Sequence, residues 1–442
     1  MKRDLKQCNR IFSSLFVTGY MFCLLLSACD SNNGAGPGTA SQIQGSVVGG
    51  NGLAKMTAGT GIQGATVVVA QLQNDGSLQT VSNDTVQTDA NGNFTVATAL
   101  DNQSNLIVVA NRDSNTWRAV VSATARNGAT VTCQPLTYES TLEADVYSQI
   151  LASGNASQAL YADIQTAINA QVAANVKGNA AAVATLAGAI VAGVDAQNSL
   201  LLDASLGASS AQISSANNVR QQAQIALEAS LYAAAENQPA IIAALEAYNL
   251  AEVNAYVASG IGAAAYAKSY EAKTQANARQ SVTLNAIARF ALKQKMASLK
   301  ARVVSTAVLA QLSGFGAANA RLVAATNAGV LLRSATDSAA TDQDLAAAWQ
   351  AYHDAIVGEL QATVNTQSAA ILTIDTSLNA IGGARLILNA SLSVAASTQL
   401  LVNAYSTFYG AVRVLAQTTL SGASTAEIQL IAETLTLINM YS

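Results

Sequence analysis

The spacing of the apolar residues changes once along this chain, near residue 138, and this change constrains the fold more than any other feature. Between residues 42 and 138, short runs rich in β-branched residues alternate with polar positions. After residue 140 the apolar residues recur every three or four positions. A spacing of two is typical of strands and a spacing of about 3.6 is typical of helices. We therefore predict a β region followed by an α region.

The β region contains seven predicted strands. Their bounds are 43–48, 65–72, 77–82, 93–100, 105–112, 117–124 and 129–136. Asn-Gly and Asp-Gly pairs are strong hairpin signals, and they occur at Asn51-Gly52, Asp75-Gly76, Asn91-Gly92 and Asn127-Gly128. Seven strands at this spacing predict an antiparallel β-sandwich over residues 42–138.

Three short motifs follow one another in this region: a G-x-V strand, a G-A-x-V strand and a T-D-x-x-G-x-F hairpin. Their residues are Gly45, Val47, Gly64, Ala65, Val67, Thr88, Asp89, Gly92 and Phe94. This order resembles the carboxypeptidase-regulatory-like, transthyretin-like domain family, although Gly61 stands where that family often has proline. The resemblance implies an immunoglobulin-like or transthyretin-like sandwich, an extracytoplasmic setting and no catalysis.

The hairpin motif also begins like a calcium loop, because Asp89, Asn91 and Asn93 place oxygen ligands at alternate positions. Phe94 stands where such a loop needs glycine, and no glutamate follows at the twelfth position. A hairpin turn is the better interpretation, so we predict no metal ligands here.

Residues 1–28 have the three parts of a secretory signal: a basic segment, an apolar run from 11 to 26, and small residues at 27 and 28. The apolar run is short for a membrane span and has no basic flank behind it. The sequence Leu26-Ser27-Ala28-Cys29 resembles the bacterial lipobox. That resemblance implies cleavage before Cys29 and acylation of its sulfur. Plain secretory cleavage and an uncleaved anchor helix are the alternatives.

Acylation of Cys29 would make the lipid bilayer a partner of the mature protein, because acyl chains anchor a protein without a spanning helix. Residues 29–41 are rich in Gly, Ser and Asn and predict a flexible tether. Asp30 resembles an inner-membrane retention signal of enteric bacteria, but that rule does not transfer between bacterial groups. We expect a lipid-anchored protein of the bacterial cell envelope, in the outer rather than the inner membrane, facing the periplasm or the exterior.

Residues 140–442 predict a large alanine-rich, all-α helical bundle, which could divide into two sub-bundles. The chain has only three prolines, and alanine has the highest helix propensity. Apolar residues in steps of four from Leu160 to Val176 predict one helix, and steps of three and four predict packed seams elsewhere. Capping boxes are predicted at Ser140–Glu143 and Ser424–Glu427. We expect about seven to ten helices, with breaks that include Gly382-Gly383.

The densest charge forms a predicted basic stripe. Its residues are Lys268, Lys273, Arg279, Arg289, Lys293, Lys295, Lys300 and Arg302. We interpret it as a solvated helix face, with contact to anionic lipid or glycan as the alternative. The stripe is too dilute for nucleic acid and the net charge is −4, so no nucleic-acid partner is expected.

Residues able to carry chemistry are few. The only histidine, His353, has no metal-ligand cluster or nucleophile motif around it, so we predict a structural role. Cys133, alone in the folded region, predicts a small buried residue rather than a disulfide. Two carboxylate pairs, Glu143 with Asp145 and Glu246 with Glu252, could be acid–base pairs, but we expect solvated faces.

The sequence therefore predicts a multidomain, mostly α protein with no catalytic residues, no metal and no cofactor. The leading hypothesis is a non-enzymatic envelope lipoprotein with a structural or interaction role, whose helical region meets a protein or glycan partner. A receptor that binds a small molecule or glycan between helices is the first alternative, and a deep cleft with convergent polar groups would favour it. A hydrolase based on two buried carboxylates is the second.

Overall fold

The computed structural model describes residues 40–49, 59–98, 104–125, 128–155, 159–235, 237–367, 374–420 and 422–440. Over these ranges the chain is about 67% helical, and strands between residues 41 and 132 precede 13 helices. The predicted order of a β region before an α region is confirmed. Cys29, the signal segment and nearly all of the tether lie outside the described residues.

The described part of the β region contains ten strands. They are β1 Ser41–Ser46, β2 Val48–Gly49, β3 Thr60–Gly61, β4 Thr66–Leu72, β5 Leu78–Thr80, β6 Val86–Gln87, β7 Asn93–Thr98, β8 Leu106–Arg112, β9 Asn115–Val121 and β10 Thr130–Thr132. One sheet has the order β10-β1-β7, and another has the order β5-β4-β8-β9 with β6 also paired to β4. Strands β2 and β3 form a small separate ladder. Each of the seven predicted strands has a counterpart.

The prediction that the strands are all antiparallel is wrong at one edge. Strand β1 pairs with β10 in parallel, with Gln42 opposite Thr130 and Ile43 opposite Val131. All the other strand pairs described are antiparallel. A parallel pair needs a long crossover, and the rest of the β region supplies it between β1 and β10. The alternation of apolar and polar residues within a strand does not show whether its neighbour runs parallel or antiparallel to it.

The two larger sheets contribute to one apolar core. It contains Ile43, Phe94 and Val96 from the three-stranded sheet and Val67 and Val108 from the other, all at most 4% exposed. The period-two alternation accounts for this, because every second side chain points to the same face. The other face of the five-stranded sheet is also covered, by helical residues described next.

The 13 helices in the described ranges follow the sheets. They are α1 Tyr138–Ala152, α2 Tyr161–Ala167, α3 Ala170–Val176, α4 Ala180–Leu202, α5 Ser210–Ala234, α6 Gln238–Ala258, α7 Ala263–Gln280, α8 Ala286–Phe315, α9 Asn319–Ser338, α10 Asp342–Gln367, α11 Asp375–Val394, α12 Thr398–Thr419 and α13 Thr425–Ile438. The expected number of seven to ten is too low, because several expected helices are divided.

Two apolar clusters organise the helices. The first joins α1 to α4 and the start of α8 to the outer face of the five-stranded sheet, through Leu72, Ile107 and Val120. The second contains the end of α4 and parts of α5 to α13. Helices α4 and α8 contribute to both clusters. Gly193 of α4 shows how closely small residues let helices approach, because a Cβ there would lie 3.0 Å from the Lys273 carbonyl oxygen of α7.

Helix boundaries differ from the sequence prediction at several places. The single helix expected from Leu160 to Val176 is divided, because Asn169 accepts a hydrogen bond from the Val172 N–H and begins a new helix, α3. The first capping box is at Thr137 and Ser140, three residues earlier than predicted. The expected break at Gly382-Gly383 is absent, and α11 runs through both glycines. The Ser424–Glu427 box is confirmed.

Helix α4 is long and apolar enough to cross a membrane, with a mean hydropathy of 1.5 over its most apolar window. Half of that window is buried inside the protein. A core helix of a soluble protein has the same length and composition.

Candidate functional site

A cleft of about 1080 Å³ lies between helices α7, α8 and α10. Arg385 of α11 and the residues at the end of α13 complete its lining. Ligand sites in proteins typically occupy about 300–1,000 Å³, so this cleft is large enough for a drug-sized molecule or a short glycan.

The apolar part of the cleft comes from two neighbouring helices. Phe290, Leu292 and Met296 lie on α8, and Leu345 and Trp349 lie on α10. Trp349 is fixed by an edge-on contact with Tyr352, with ring centroids 6.2 Å apart. Leu292 and Met296 are four residues apart, as are Leu345 and Trp349, and this spacing brings the two side chains of each pair onto the same helix face. The result is one wall that an aromatic or aliphatic group can contact.

The charged lining is unbalanced. Two acids, Glu271 and Asp342, are each paired: Lys300 contacts Glu271, and the Lys293 Nζ lies 2.8 Å from Asp342 Oδ1. The other two cationic side chains, Arg289 and Arg385, have no carboxylate within ion-pairing distance among the described residues. The cleft therefore carries two guanidinium groups in excess of its acids.

The carboxylate of Glu271, which lines the cleft on the α7 side, is held by several hydrogen bonds. Glu271 is 1% exposed and receives hydrogen bonds from Gln275 Nε2 at 3.2 Å and the Tyr405 hydroxyl at 3.3 Å, in addition to the Lys300 contact. A carboxylate with this many donors is satisfied by the protein itself. It is therefore not available as a ligand group.

A second polar group is buried away from the cleft, where four helices meet. Arg220 of α5 donates from Nη2 to Asp163 Oδ1 of α2 at 2.7 Å and from Nε to Glu252 Oε2 of α6 at 2.8 Å. Lys273 of α7 donates to the same Asp163 oxygen at 2.7 Å. All four side chains are at most 4% exposed. We call this set the four-residue ion cluster.

Burial and the neighbouring charges shift the pKa values of the residues in the four-residue ion cluster. Burial alone would raise the pKa of Asp163, but the charges of Arg220 and Lys273 outweigh burial and hold that pKa below its ordinary value. Burial raises the pKa of Glu252 and lowers the pKa of Lys273, and each shift is reduced by the opposite charges beside it. Two cations and two carboxylates neutralise one another, as a buried group of charges requires.

A third polar group joins the β region to the helices. Glu143 of α1 accepts hydrogen bonds from the Tyr161 hydroxyl at 2.6 Å and from Gln134 Nε2 at 2.9 Å. Nearby, Glu228 of α5 accepts from the Ser122 hydroxyl at 2.5 Å. Burial, followed by the negative charge of Glu228, raises the pKa of the Cys133 thiol. Cys133 is fully buried, as predicted.

The prediction that the two carboxylate pairs lie on solvated faces is wrong for one member of each pair. Glu143 and Glu252 are fully buried and lie in the polar groups described above. Their expected companions have other partners, since Asp145 pairs with Arg118 at 2.5 Å and Glu246 pairs with Arg302. The spacing on a helix does not distinguish an exposed carboxylate from one that meets a cation on another helix.

The basic stripe is not one continuous solvated surface. Lys268, Lys273 and Lys300 are at most 7% exposed and pair with carboxylates of other elements. Arg279 donates hydrogen bonds to the carbonyl oxygens of Leu392 and Ala395, which lie shortly before the start of α12. Three of the eight cations are therefore buried and paired, whereas Arg289 and Lys293 are exposed, so the stripe does not act as one continuous surface. Only Arg289 and Lys293 of this set line the cleft together with Lys300.

His353 lies on the cleft wall, and its Nδ1 is 3.1 Å from Asp354 Oδ1. Among the residues that the structure describes, no group of three or more His, Cys, Asp or Glu side chains could hold a metal ion. The segment from Asp89 forms the predicted turn, with Asp89 Oδ1 accepting from the N–H groups of Asn91 and Asn93.

Sequence reasoning missed Arg385, Asn277 and the apolar wall of the cleft. Arg385 had a detectable signal, because it is the only charged residue between positions 376 and 412. A charge that packing leaves half-buried favours a nearby counter-ion. Comparison of the chain with protein-family models, with curated proteins and with solved structures gives no match.

Proposed function

We propose that the protein is a non-enzymatic, lipid-anchored protein of the bacterial cell envelope that binds a small molecule in the cleft between α7, α8 and α10. The cleft is the observation that supports binding over a purely structural role. Ligand sites in proteins are concave, with apolar walls and a few convergent polar groups, and a purely structural bundle has no need of such a cleft. Here about 1080 Å³ is bordered by aromatic, cationic and amide side chains.

The proposed anchor is the acylated Cys29. The lipobox-like sequence supports it, and each buried methylene of an acyl chain adds roughly 0.8 kcal/mol to membrane binding. Two or more chains therefore hold the protein at the bilayer stably, with the outer membrane as the proposed location. Such an anchor would keep the helical region and its ligand-binding cleft close to the membrane.

We further propose that the two sheets form a sandwich of the carboxypeptidase-regulatory-like type. The shared core of the two sheets and the turn at Asp89 support this assignment. In this proposal the module is a passive spacer, because its outer face is packed against α1 and an apolar cluster that includes Cys133 occupies its interior.

The buried carboxylates favour a structural role over the hydrolase alternative. Asp163 and Glu252 are held by one guanidinium, and neither lines the cleft. An acid–base pair must reach a substrate, whereas these two groups are enclosed by helices.

Membrane fractionation and mass measurement test the anchor. The mature N-terminal peptide of the wild type should carry acyl chains on Cys29, and the Cys29→Ala variant should leave the membrane fraction. Cys133→Ala is the matched cysteine control and should stay membrane-bound. An unmodified Cys29, or equal retention of both variants, would refute the anchor.

Two adjacent alanines on α10 test the cleft. Ala346 lines it, whereas Ala347 is exposed outside it. Ala346→Trp should place an indole ring in the cleft and weaken the binding of small apolar probes, while Ala347→Trp should bind them as the wild type does. Equal probe affinities in the two variants would refute binding in this cleft.

A further inference from the structure

Three features of the cleft restrict the chemistry of its ligand. The first is the pair of guanidinium groups, Arg289 on α8 and Arg385 on α11, that have no carboxylate partner among the described residues. Arg385 is only partly exposed, and burial lowers its pKa because no acid compensates for the lost water. A half-buried cation without a counter-ion favours an anionic ligand group.

The second feature is a buried amide. Asn277 is 2% exposed, lines the cleft, and its side chain makes no hydrogen bond with the residues that the structure describes. Buried polar side chains in native proteins are normally hydrogen-bonded. An amide carries both donors and an acceptor, so a ligand can complete its hydrogen bonding whichever way it is turned.

The third feature is the apolar wall formed by Phe290, Met296 and Trp349. A small inorganic anion would leave this wall in contact with water, and a purely apolar molecule would leave the two arginines without a counter-ion. Only a molecule with both parts satisfies the whole cleft.

We propose that the cleft binds an organic anion, with its acidic group at Arg289 and Arg385 and an aromatic or aliphatic body against Trp349 and Phe290. This inference rests on the proposed function, and it adds the class of ligand. The acid would be a carboxylate, sulfonate or phosphate, because each accepts the paired donors of a guanidinium.

Two dyes of nearly the same shape separate charge from apolar burial. One is 8-anilinonaphthalene-1-sulfonate, and the other is N-phenyl-1-naphthylamine, which has the same rings without the sulfonate. Fluorescence titration of the full chain should give a dissociation constant about tenfold lower for the sulfonate, since a charge-assisted hydrogen bond adds that much or more.

The arginines are tested by Arg385→Gln and Arg289→Gln, singly and together. The double variant should lose the preference for the sulfonate while its affinity for the neutral dye stays within about twofold of the wild type. Arg413→Gln, at an exposed arginine on α12 outside the cleft, is the matched control and should keep the preference. Circular dichroism and the melting temperature establish that the variants are folded.

The outcomes distinguish the two proposals. If both dyes bind equally, or if the double variant keeps the preference, the anion inference is overturned while binding in the cleft stands. If Ala346→Trp changes the affinity of neither dye, the dyes bind elsewhere, and the proposed function and the inference both fail.

Discussion

The guanidinium of Arg220 lies 2.7 Å from the carboxylate of Asp163, although the two residues are 57 positions apart. Glu252 and Lys273 complete the four-residue ion cluster, so that α2, α5, α6 and α7 each contribute one charge. Alanine side chains fit many relative positions of two helices and contribute little burial energy. We infer that the cluster helps to fix which register these helices adopt, because a shifted helix would leave a buried charge unpaired.

Removing Arg220 should therefore be costly. Arg220→Met leaves Asp163 and Glu252 buried without their common partner, and we expect a loss of about 3–5 kcal/mol in the free energy of unfolding. Urea unfolding at pH 7 measures it. Arg321→Met removes a half-exposed pair with Glu359 at 3.3 Å and should cost about 1 kcal/mol or less. Losses of equal size in Arg220→Met and Arg321→Met would show that the buried cluster contributes no more to stability than a half-exposed ion pair.

The cluster should also shape the response to acid. The pKa of Asp163 is held below its ordinary value of 3.8, so the unfolded chain takes up a proton first as the pH falls. The contribution of Asp163 is then fully present above about pH 4 and is lost progressively below it, by up to about 1.4 kcal/mol per pH unit. Asp163→Asn lacks this term, and its free energy of unfolding should fall less steeply between pH 4 and pH 2.

Urea unfolding at a series of pH values compares the slopes, so the overall destabilisation of Asp163→Asn does not affect the result. Asp113→Asn makes the same chemical change at an exposed carboxylate and should keep the wild-type slope. A slope for Asp163→Asn as steep as the wild type would mean that other groups dominate the acid response.

Local signals explain how much of the fold the sequence predicts. Strands were predictable because alternation and turn pairs act over a few residues, as at Asp75-Gly76, where Gly76 has a φ of +81°. The division between α2 and α3 was not, because Ile164, Ile168 and Val172 are all buried whether or not the helix is continuous. Asn169 supplied the only local signal for that break, and an asparagine inside an apolar repeat is a weak one.

The candidate site depends on long-range contacts, which single-sequence patterns do not contain. Asn277, Trp349 and Arg385 reach one cleft from three helices. The basic stripe misled for the same reason, since Lys268 pairs with Glu433, 165 positions away. A charge on an amphipathic helix is normally exposed, and only the packing of other helices against it reverses that expectation.

A threonine should stabilise the β region through two hydrogen bonds. Thr88 is 4% exposed, donates to the Ile62 carbonyl oxygen at 2.5 Å and accepts from the Ala65 N–H at 2.9 Å. Thr88→Val keeps the shape but leaves both groups unpaired, and we expect a loss of about 1–3 kcal/mol in the free energy of unfolding. Thr88→Ser keeps the hydroxyl and should retain most of the stability. A loss in Thr88→Ser as large as that in Thr88→Val would mean that burial of the methyl group contributes as much stability as the two hydrogen bonds.

Space, rather than backbone conformation, should make Gly61 irreplaceable. A Cβ on Gly61 would overlap the carbonyl oxygen of Asn91 in the neighbouring turn, and that oxygen belongs to backbone that cannot rotate away. Gly61→Ala should therefore lower the melting temperature by several degrees, since overpacking typically costs about 1–3 kcal/mol. Gly64→Ala is a less suitable comparison because Gly64 has a φ of +73°. Gly188→Ala, on α4 with open space at its Cβ, should be neutral or stabilising.

The Cys133 thiol should be unreactive in the folded protein. It is fully buried in the core of the β region, and burial raises its pKa, so it forms little of the thiolate that alkylating reagents need. Peptide mapping after iodoacetamide treatment should show labelling of Cys133 only in urea, because access requires the core to open. Thr85→Cys places a thiol at an exposed position of the same region and should be labelled in the folded state. If Cys133 is labelled as fast as that introduced thiol without urea, the core opens readily, and the two sheets do not form the closed apolar interior on which the proposed sandwich depends.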